Sequence, residues 1–361
     1  MQRFLKMLFG GSWGPKAARP RPSVRLQLEQ LDERLLPSNT GTISSVFANL
    51  GPRYGGNSWG NVLFYIGRDH NLYESFGEGS YAQRLDGYDG YHGDLEVSAG
   101  VDPNGNPVAY VLNDYGSLWA LTTAELYHWG LNGGGWWAPS IISETKVADN
   151  VIYDPQAGWS SFSASISNST GPRAPGVFFI TNGYDYFYQL GQGAPQQISG
   201  SPVDMQISAG LDAYGNKVAY VRNAIDDNCY EYHAAGGWWS QVTTGHDVEQ
   251  VVGGWDGEAF FLFHEGWSNN KLTMWKAGTF YDLADNVDQI SVSGYNVDYL
   301  QSGTVMQFND RTWRTYLLAT NMREVCAGAL GVDFFVDWNN YLYAKDTATS
   351  GYVWQIGNNV L

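Results

Sequence analysis

Basic residues are scarce in this chain. Twenty Lys and Arg stand against 36 Asp and Glu in 361 residues, a formal net charge of −16. Beyond residue 40 the imbalance sharpens to 13 basic against 33 acidic residues, a net −20. A body so charged repels nucleic acid and anionic membrane surfaces, so a nucleic-acid partner is not expected. Cysteine is nearly absent. With only Cys229 and Cys326, a small scaffold stapled by disulfides is excluded, and both thiols read as small buried hydrophobes. No apolar run reaches the ~18–20 residues of a membrane-spanning helix. Beyond the first 40 residues no sustained 3.6-residue apolar period appears, which argues against helices.

Catalytic and metal patterns are missing as well. The six His (70, 92, 128, 233, 246 and 264) form no His-Glu-x-x-His. There is no Cys-x-x-Cys, no nucleophile elbow and no phosphate loop, so no catalytic residue, metal ligand or cofactor is assigned. Carboxylates are plentiful, and glycosidase pairs are spatial rather than sequential, so a polysaccharide-acting enzyme stays open as a third reading. Asp102-Pro103-Asn104-Gly105-Asn106 and, less well, Asp212-Ala213-Tyr214-Gly215-Asn216 have the oxygen-rich start of a calcium loop. Neither is followed by a bidentate Glu at the proper distance, and a turn between neighbouring units explains both.

Against these absences stands a repeat. Ser98-Ala99-Gly100-Val101-Asp102 and Gly105-Asn106-Pro107-Val108-Ala109-Tyr110-Val111 return as Ser208-Ala209-Gly210-Leu211-Asp212 and Gly215-Asn216-Lys217-Val218-Ala219-Tyr220-Val221. Such self-similarity marks an array of one small unit. Seven cores fit the template: Val62, Val108, Val177, Val218, Ala259, Val297 and Val332, each followed two residues later by Phe or Tyr. Their steps are 46, 69, 41, 41, 38 and 35 residues, and the long step implies an insertion around 140–160. β-Branched and aromatic runs broken by Asp, Asn and Gly turns predict four short strands per unit.

Four antiparallel strands in roughly 40–45 residues match a propeller blade. The expected fold is therefore all-β, a seven-bladed β-propeller over residues 42–361. Six blades remain an alternative, because the unit at Val297 is short. The stretches 95–98, 162–166, 205–208, 248–252, 288–292 and 323–327 read as fourth strands closing each unit. The last unit then lacks its fourth strand, so the strand at 42–47 is expected to close the ring by pairing with 352–355.

Aromatic residues give the lead to a ligand. Gly135-Trp136-Trp137 and Gly237-Trp238-Trp239 fall at the equivalent point of two units, and Tyr81 occupies it in another. Flat aromatic faces beside Asp and Asn turns suit sugar rings. The candidate ligand residues are Trp136, Trp137, Trp238, Trp239, Tyr81, Trp255, Trp267, Asp102 and Asp212. The competing role for the paired Trp is blade packing, and period-2 alternation puts the two members of each pair on opposite faces. Repeats of this kind resemble tectonin-like and fucose-binding lectin propellers. The resemblance covers the propeller only, transfers no specific site and implies sugar binding; glycans or envelope polysaccharide are the expected partners, and the chain is expected to be a monomer.

Residues 1–41 form a separate basic arm, with Pro20 and Pro22 in a stretch expected to be disordered. Within it Leu28, Glu29, Arg34, Leu35, Leu36, Pro37 and Ser38 resemble a short motif near the start of many exported or surface proteins of planctomycete bacteria. The resemblance implies export or envelope sorting. Upstream, residues 4–9 are too short and interrupted for a conventional signal core. The sequence thus leaves three readings: an exported glycan-binding propeller, a protein-binding scaffold at the envelope, and an enzyme acting on polysaccharide.

Overall fold

The computed structural model describes residues 43–360 apart from 50–58, 77–81, 86–92, 103, 130–133, 153–161, 165–175, 183–185, 191–193, 199–203, 224–225, 227, 244–247, 265–269, 329–331 and 348–350. Among the described residues there is no helix, and 28 strands form seven four-stranded sheets. Blade 1 holds β1 (Ile43–Asn49), β2 (Trp59–Ile66), β3 (Leu72–Phe76) and β4 (Gln83–Arg84). Blade 2 holds β5 (Asp94–Val101), β6 (Pro107–Asn113), β7 (Leu118–Trp129) and β8 (Gly135–Ala148). Blade 3 holds β9 (Phe162–Ala164), β10 (Gly176–Ile180), β11 (Tyr186–Leu190) and β12 (Gln196–Ile198). Blade 4 holds β13 (Asp204–Leu211), β14 (Lys217–Asn223), β15 (Cys229–His233) and β16 (Trp238–Gln241). Blade 5 holds β17 (Val248–Gly253), β18 (Glu258–His264), β19 (Asn270–Lys276) and β20 (Thr279–Asp285). Blade 6 holds β21 (Gln289–Ser293), β22 (Asn296–Gln301), β23 (Thr304–Asn309) and β24 (Arg314–Thr320). Blade 7 holds β25 (Met322–Ala327), β26 (Val332–Asp337), β27 (Leu342–Asp346) and β28 (Val353–Gly357).

The first strands pack on one another in sequence from β1 to β25, and β25 packs back on β1. The chain is a seven-bladed β-propeller. Its inner strands are stitched by serines. Ser44 Oγ accepts from Ala99 N, Ser98 from Ala164 N, Ser163 from Ala209 N, Ser208 from Gly253 N and Ser291 from Ala327 N, all at 2.9–3.0 Å. Gln206, Gln250 and Gln289 form a second tier, accepting from Val251, Ile290 and Val325 N. These side chains satisfy buried backbone donors that no strand partner reaches. At Gly253 a Cβ would lie 2.5 Å from the Ala209 carbonyl oxygen, so only glycine lets blades 4 and 5 approach there.

Two expectations are corrected. The unit boundaries read from sequence are one strand out of phase: residues 95–98, 162–164, 205–208, 248–252, 289–292 and 323–327 lie in first strands of the following blades. The turn at 102–106, expected between units, joins β5 to β6 inside one blade, with Asp102 N donating to Asn106 O at 2.9 Å. A β-branched run marks a buried strand without saying which neighbour it pairs with.

The closure differs as well. Ile43–Asn49 pairs with β2, and Val353–Gly357 pairs with β27, so blade 7 takes all its strands from the C-terminal end. The ring closes side-on. Ser45 Oγ donates to Ala327 O at 3.0 Å, Arg68 N to Asn359 O at 2.8 Å and Ala82 N to Ile356 O at 3.0 Å. The long 69-residue step also resolves: much of its excess is an extended β7–β8 ribbon, whose pairing runs out to Trp129 and Gly135, while residues 153–161 are not described.

Each of the seven blade boundaries carries one apolar cluster. That between blades 1 and 2 includes Val62, Phe64, Val97 and Val111, and that between blades 7 and 1 includes Ile43, Tyr65, Phe334 and Val336. Both cysteines are free and buried, Cys229 on β15 and Cys326 on β25. Polar groups are set into several boundaries. Between blades 5 and 6, Lys276 Nζ lies 2.8 Å from Glu258 Oε2 and 3.0 Å from Asp310 Oδ2, and 3.7 Å from Asp256 Oδ2. Burial alone would lower the Lys276 pKa, but the Glu258 and Asp310 carboxylates outweigh it and hold the ammonium charged.

Candidate functional site

The Gly-Trp-Trp segments build a repeated aromatic box. In blade 4 the register sets His233 opposite Trp238 and Tyr232 opposite Trp239. In blade 2 it sets His128 opposite Trp136 and Tyr127 opposite Trp137. Directly opposed side chains share a face of the sheet, so each hairpin carries one His–Trp pair and one Tyr–Trp pair on opposite faces. Glycine makes room for the rings. A Cβ at Gly236 would meet Trp238 Cδ1 at 2.5 Å, and one at Gly135 would meet Tyr127 Cζ at 2.4 Å. Gly237, at φ 66°, turns the β15–β16 hairpin.

The two faces have different fates in blade 4. Trp239 tilts on Tyr232, centroids 4.9 Å apart, and packs into the cluster at the blade 3–4 boundary. Trp238 is 50% exposed and stacks on His233, centroids 3.7 Å apart and 17° from parallel. Beneath this stack sits Glu231, nearly buried. Its Oε1 accepts from the Tyr220 hydroxyl at 3.1 Å and its Oε2 from Ser240 Oγ at 3.3 Å, while His233 Nε2 lies 3.0 Å from Oε2. Burial, and then the Glu231 charge, raise the Tyr220 phenol well above its ordinary pKa, so it remains a donor. The result is a flat indole with a free face above a carboxylate, a hydroxyl and an imidazole.

In blade 2 the box sits farther out. β6 pairs with β7 only from Leu118 to Thr122, so the Tyr127–Trp137 box rides on a two-stranded ribbon beyond the body of the sheet. Trp136 is 55% exposed and lies over His128 at 5.9 Å, and His128 Nε2 is 2.9 Å from Ser140 Oγ. Trp129, 76% exposed, meets Tyr127 edge-on at 5.1 Å.

Of the residues singled out in the sequence, Trp136 with Trp137 and Trp238 with Trp239 are thus each brought into a box, but in separate blades. Asp102 and Asp212 lie in the first hairpins of blades 2 and 4 and spend their oxygens on their own turns. Asp212 Oδ1 accepts from Tyr214 N and Asn216 N at 2.8 Å, and Asp102 Oδ1 from Asn104 N and Asn106 N at 2.8 Å. Trp255 is half-buried in the β17–β18 turn. Tyr81, Trp267 and the motif residues Leu28, Glu29, Arg34, Leu35, Leu36, Pro37 and Ser38 lie outside the described residues. The sequence reading missed Tyr127, His128, Tyr232, His233, Glu231 and Ser240. The signal was present as Tyr-His ahead of each Gly-Trp-Trp.

Among the described residues no three His, Cys, Asp or Glu converge as metal ligands. Two buried carboxyl pairs bear on the enzyme reading. Glu74 faces Glu125 between blades 1 and 2, and Asp298 faces Asp333 between blades 6 and 7. Glu74, Asp298 and Asp333 are wholly buried, so these pairs are set inside boundaries rather than in an open pocket.

No family model and no curated protein matches the chain. Many solved structures do. The Pan2 WD40 domain of Neurospora crassa shares 8% identity at TM-score 0.48, over 73% of this chain and 79% of that one. YCF48 bound to a D1 peptide shares 12% identity at TM-score 0.50, over 90% and 95%. A puromycin hydrolase complexed with PGG shares 10% identity at TM-score 0.52 over 91% of this chain, which spans 55% of that protein's length. At such identities the likeness is one of fold.

Proposed function

We propose that this propeller is a non-catalytic binding module that takes up glycans, with its principal site at Trp238 on the edge of blade 4. The observation that carries the reading is the asymmetry of the Trp238–Trp239 pair. One indole is packed between blades, and the other presents a face to solvent over Glu231, Ser240 and His233. A sugar ring stacks its C–H face on such an indole and gives its hydroxyls to a carboxylate and a serine. Trp136 over His128 and Ser140 supplies a second, more exposed copy. Single sites of this kind yield about 4–5 kcal/mol, or roughly millimolar affinity, and two on one ring raise avidity toward clustered glycans such as envelope polysaccharide. The arm motif at Leu28–Ser38 supports export to the envelope or beyond, where such a ligand would be met. Fractionation of the tagged full chain tests that part, and recovery from the cytoplasm alone rejects it.

Glycan-array binding and fluorescence titration test the site. Trp238→Ala should abolish binding at blade 4 with little loss of stability. Trp239→Ala should cost about 3–5 kcal/mol of folding stability. No glycan response in the unsubstituted protein defeats the reading. A protein-binding scaffold then takes its place, favoured by one observation: the blade 2 ribbon exposes large apolar side chains, Leu126 and Trp136 on one face and Trp129 on the other.

A further inference from the structure

Among the described residues the boundary between blades 6 and 7 has the smallest apolar cluster, five buried residues: Leu300, Val305, Leu318, Val325 and Phe335. The boundaries on either side hold ten and eleven. Polar groups fill what apolar ones do not. Asp298 on β22 and Asp333 on β26 are both wholly buried and face each other across the seam. Gln307 Nε2 on β23 donates to Asp298 Oδ1 at 2.9 Å and to Asp333 Oδ2 at 3.0 Å. Thr347 Oγ1 donates to Asp333 Oδ2 at 3.4 Å, and Gly328 N to Asp333 Oδ1 at 3.4 Å.

The Gln307 amide, donating to both, brings the two carboxyls together, and Asp298 Oδ2 is buried with no hydrogen-bond partner. Two carboxyls buried side by side on one amide donor cannot both hold their charge, so the pair keeps a proton. The remaining titratable groups around the pair are few. Lys345 on β27, cross-strand from Asp333, spends its ammonium on the Leu318 carbonyl of blade 6. Glu324 and the Cys326 thiol stand on β25. Burial, then the charge of Asp333, raises Asp298 well above the usual carboxylate range, and burial brings Asp333 to about 6.

We infer that this seam is a proton-dependent latch: one proton shared by Asp298 and Asp333 ties blade 6 to blade 7, and its loss as pH rises leaves two buried like charges that loosen the boundary. The sign follows from linkage. A carboxyl whose folded-state proton affinity is raised contributes its stability in acid, and that contribution is lost as pH climbs through the folded pKa. The seam is therefore tightest in mild acid and weakest in mild alkali.

The chain carries its own reporters. Cys326 is buried on β25 of blade 7, in the cluster facing blade 1 where its thiol meets Ser45, so it reports loosening of blade 7 as a whole, and Cys229 is buried in the cluster between blades 4 and 5. Brief N-ethylmaleimide labelling of the full chain at pH 6 and pH 8, read by mass spectrometry, gives the ratio of Cys326 to Cys229 modification. The latch raises that ratio by roughly tenfold or more between the two pH values. In Asp298→Asn the amide donates to Asp333 without needing a proton, so the ratio stays flat. If that variant does not fold, Asp333→Asn replaces it, with the same flat ratio expected. A flat ratio in the unsubstituted protein, or a rise that persists in the folded variant, overturns the inference.

Discussion

Lys276 is the sharpest place to test the electrostatics of the blade boundaries. Its ammonium bridges Glu258 of its own blade and Asp310 of the next, whose side chains are 0% and 2% exposed. Lys276→Met leaves both carboxylates in the boundary without their cation. Breaking a buried pair costs about 3–5 kcal/mol, and the partial exposure of Lys276 places the loss near the lower end, ~3 kcal/mol. For a ring of roughly 320 residues, unfolding entropy near about 0.7 kcal/mol/K converts this to a melting shift of about 4–5 °C.

The pH dependence has a definite sign. The Glu258 carboxyl already sits above its ordinary pKa because burial outweighs Lys276, and removing Lys276 lifts it further. A raised carboxyl takes up a proton in acid and loses that relief as pH climbs. The deficit of Lys276→Met should therefore be small near pH 5 and full at pH 8, and adding Glu258→Gln should recover part of it. Urea unfolding followed by tryptophan fluorescence at both pH values measures this. A deficit below about 1 kcal/mol at pH 8, or one equal at the two pH values, would refute the reasoning.

Other expectations follow from the ring itself. Ser208→Ala leaves the buried Gly253 N–H without its acceptor and should cost about 1–3 kcal/mol by chemical unfolding. Gly253→Ala drives a Cβ to 2.5 Å from Ala209 O and should cost more than ~2 kcal/mol, with enhanced amide exchange in β13 and β17. Glu74 is wholly buried, and burial raises its carboxyl well above the ordinary pKa against the Thr123 hydrogen bond. Glu74→Gln should accordingly melt higher than the unsubstituted chain at pH 8 and within a degree or two of it at pH 4.5.

The sequence by itself determined the architecture of this protein. The Ser-Ala-Gly and Gly-Asn repeats at 98–111 and 208–221, and the seven Val-or-Ala cores, carried the blade number. Repeat period and β-branched spacing are local properties of a chain. They could not carry the strand phase, because a strand buried on both faces looks alike whether its turn joins it to the strand before or the strand after. Only the hairpins at 102–106 and 212–216 decided that, and with it the side-on closure of blade 7 on blade 1.

The candidate site divides the same way. Gly-Trp-Trp named two hairpins, and alternation said that the members of each pair would face apart. Which Trp is solvent-facing, and that Trp238 lies on His233 above Glu231, came only from the tertiary structure. So did the different height of the two boxes, one on a blade edge and one on a ribbon. The buried groups were the least legible of all. Lys276, Asp298 and Asp333 look like surface charges in a linear reading, since such residues are rarely buried unpaired. What buries them is the neighbouring blade, about 30 residues away in sequence, and distance along the chain hides every contact made across a boundary.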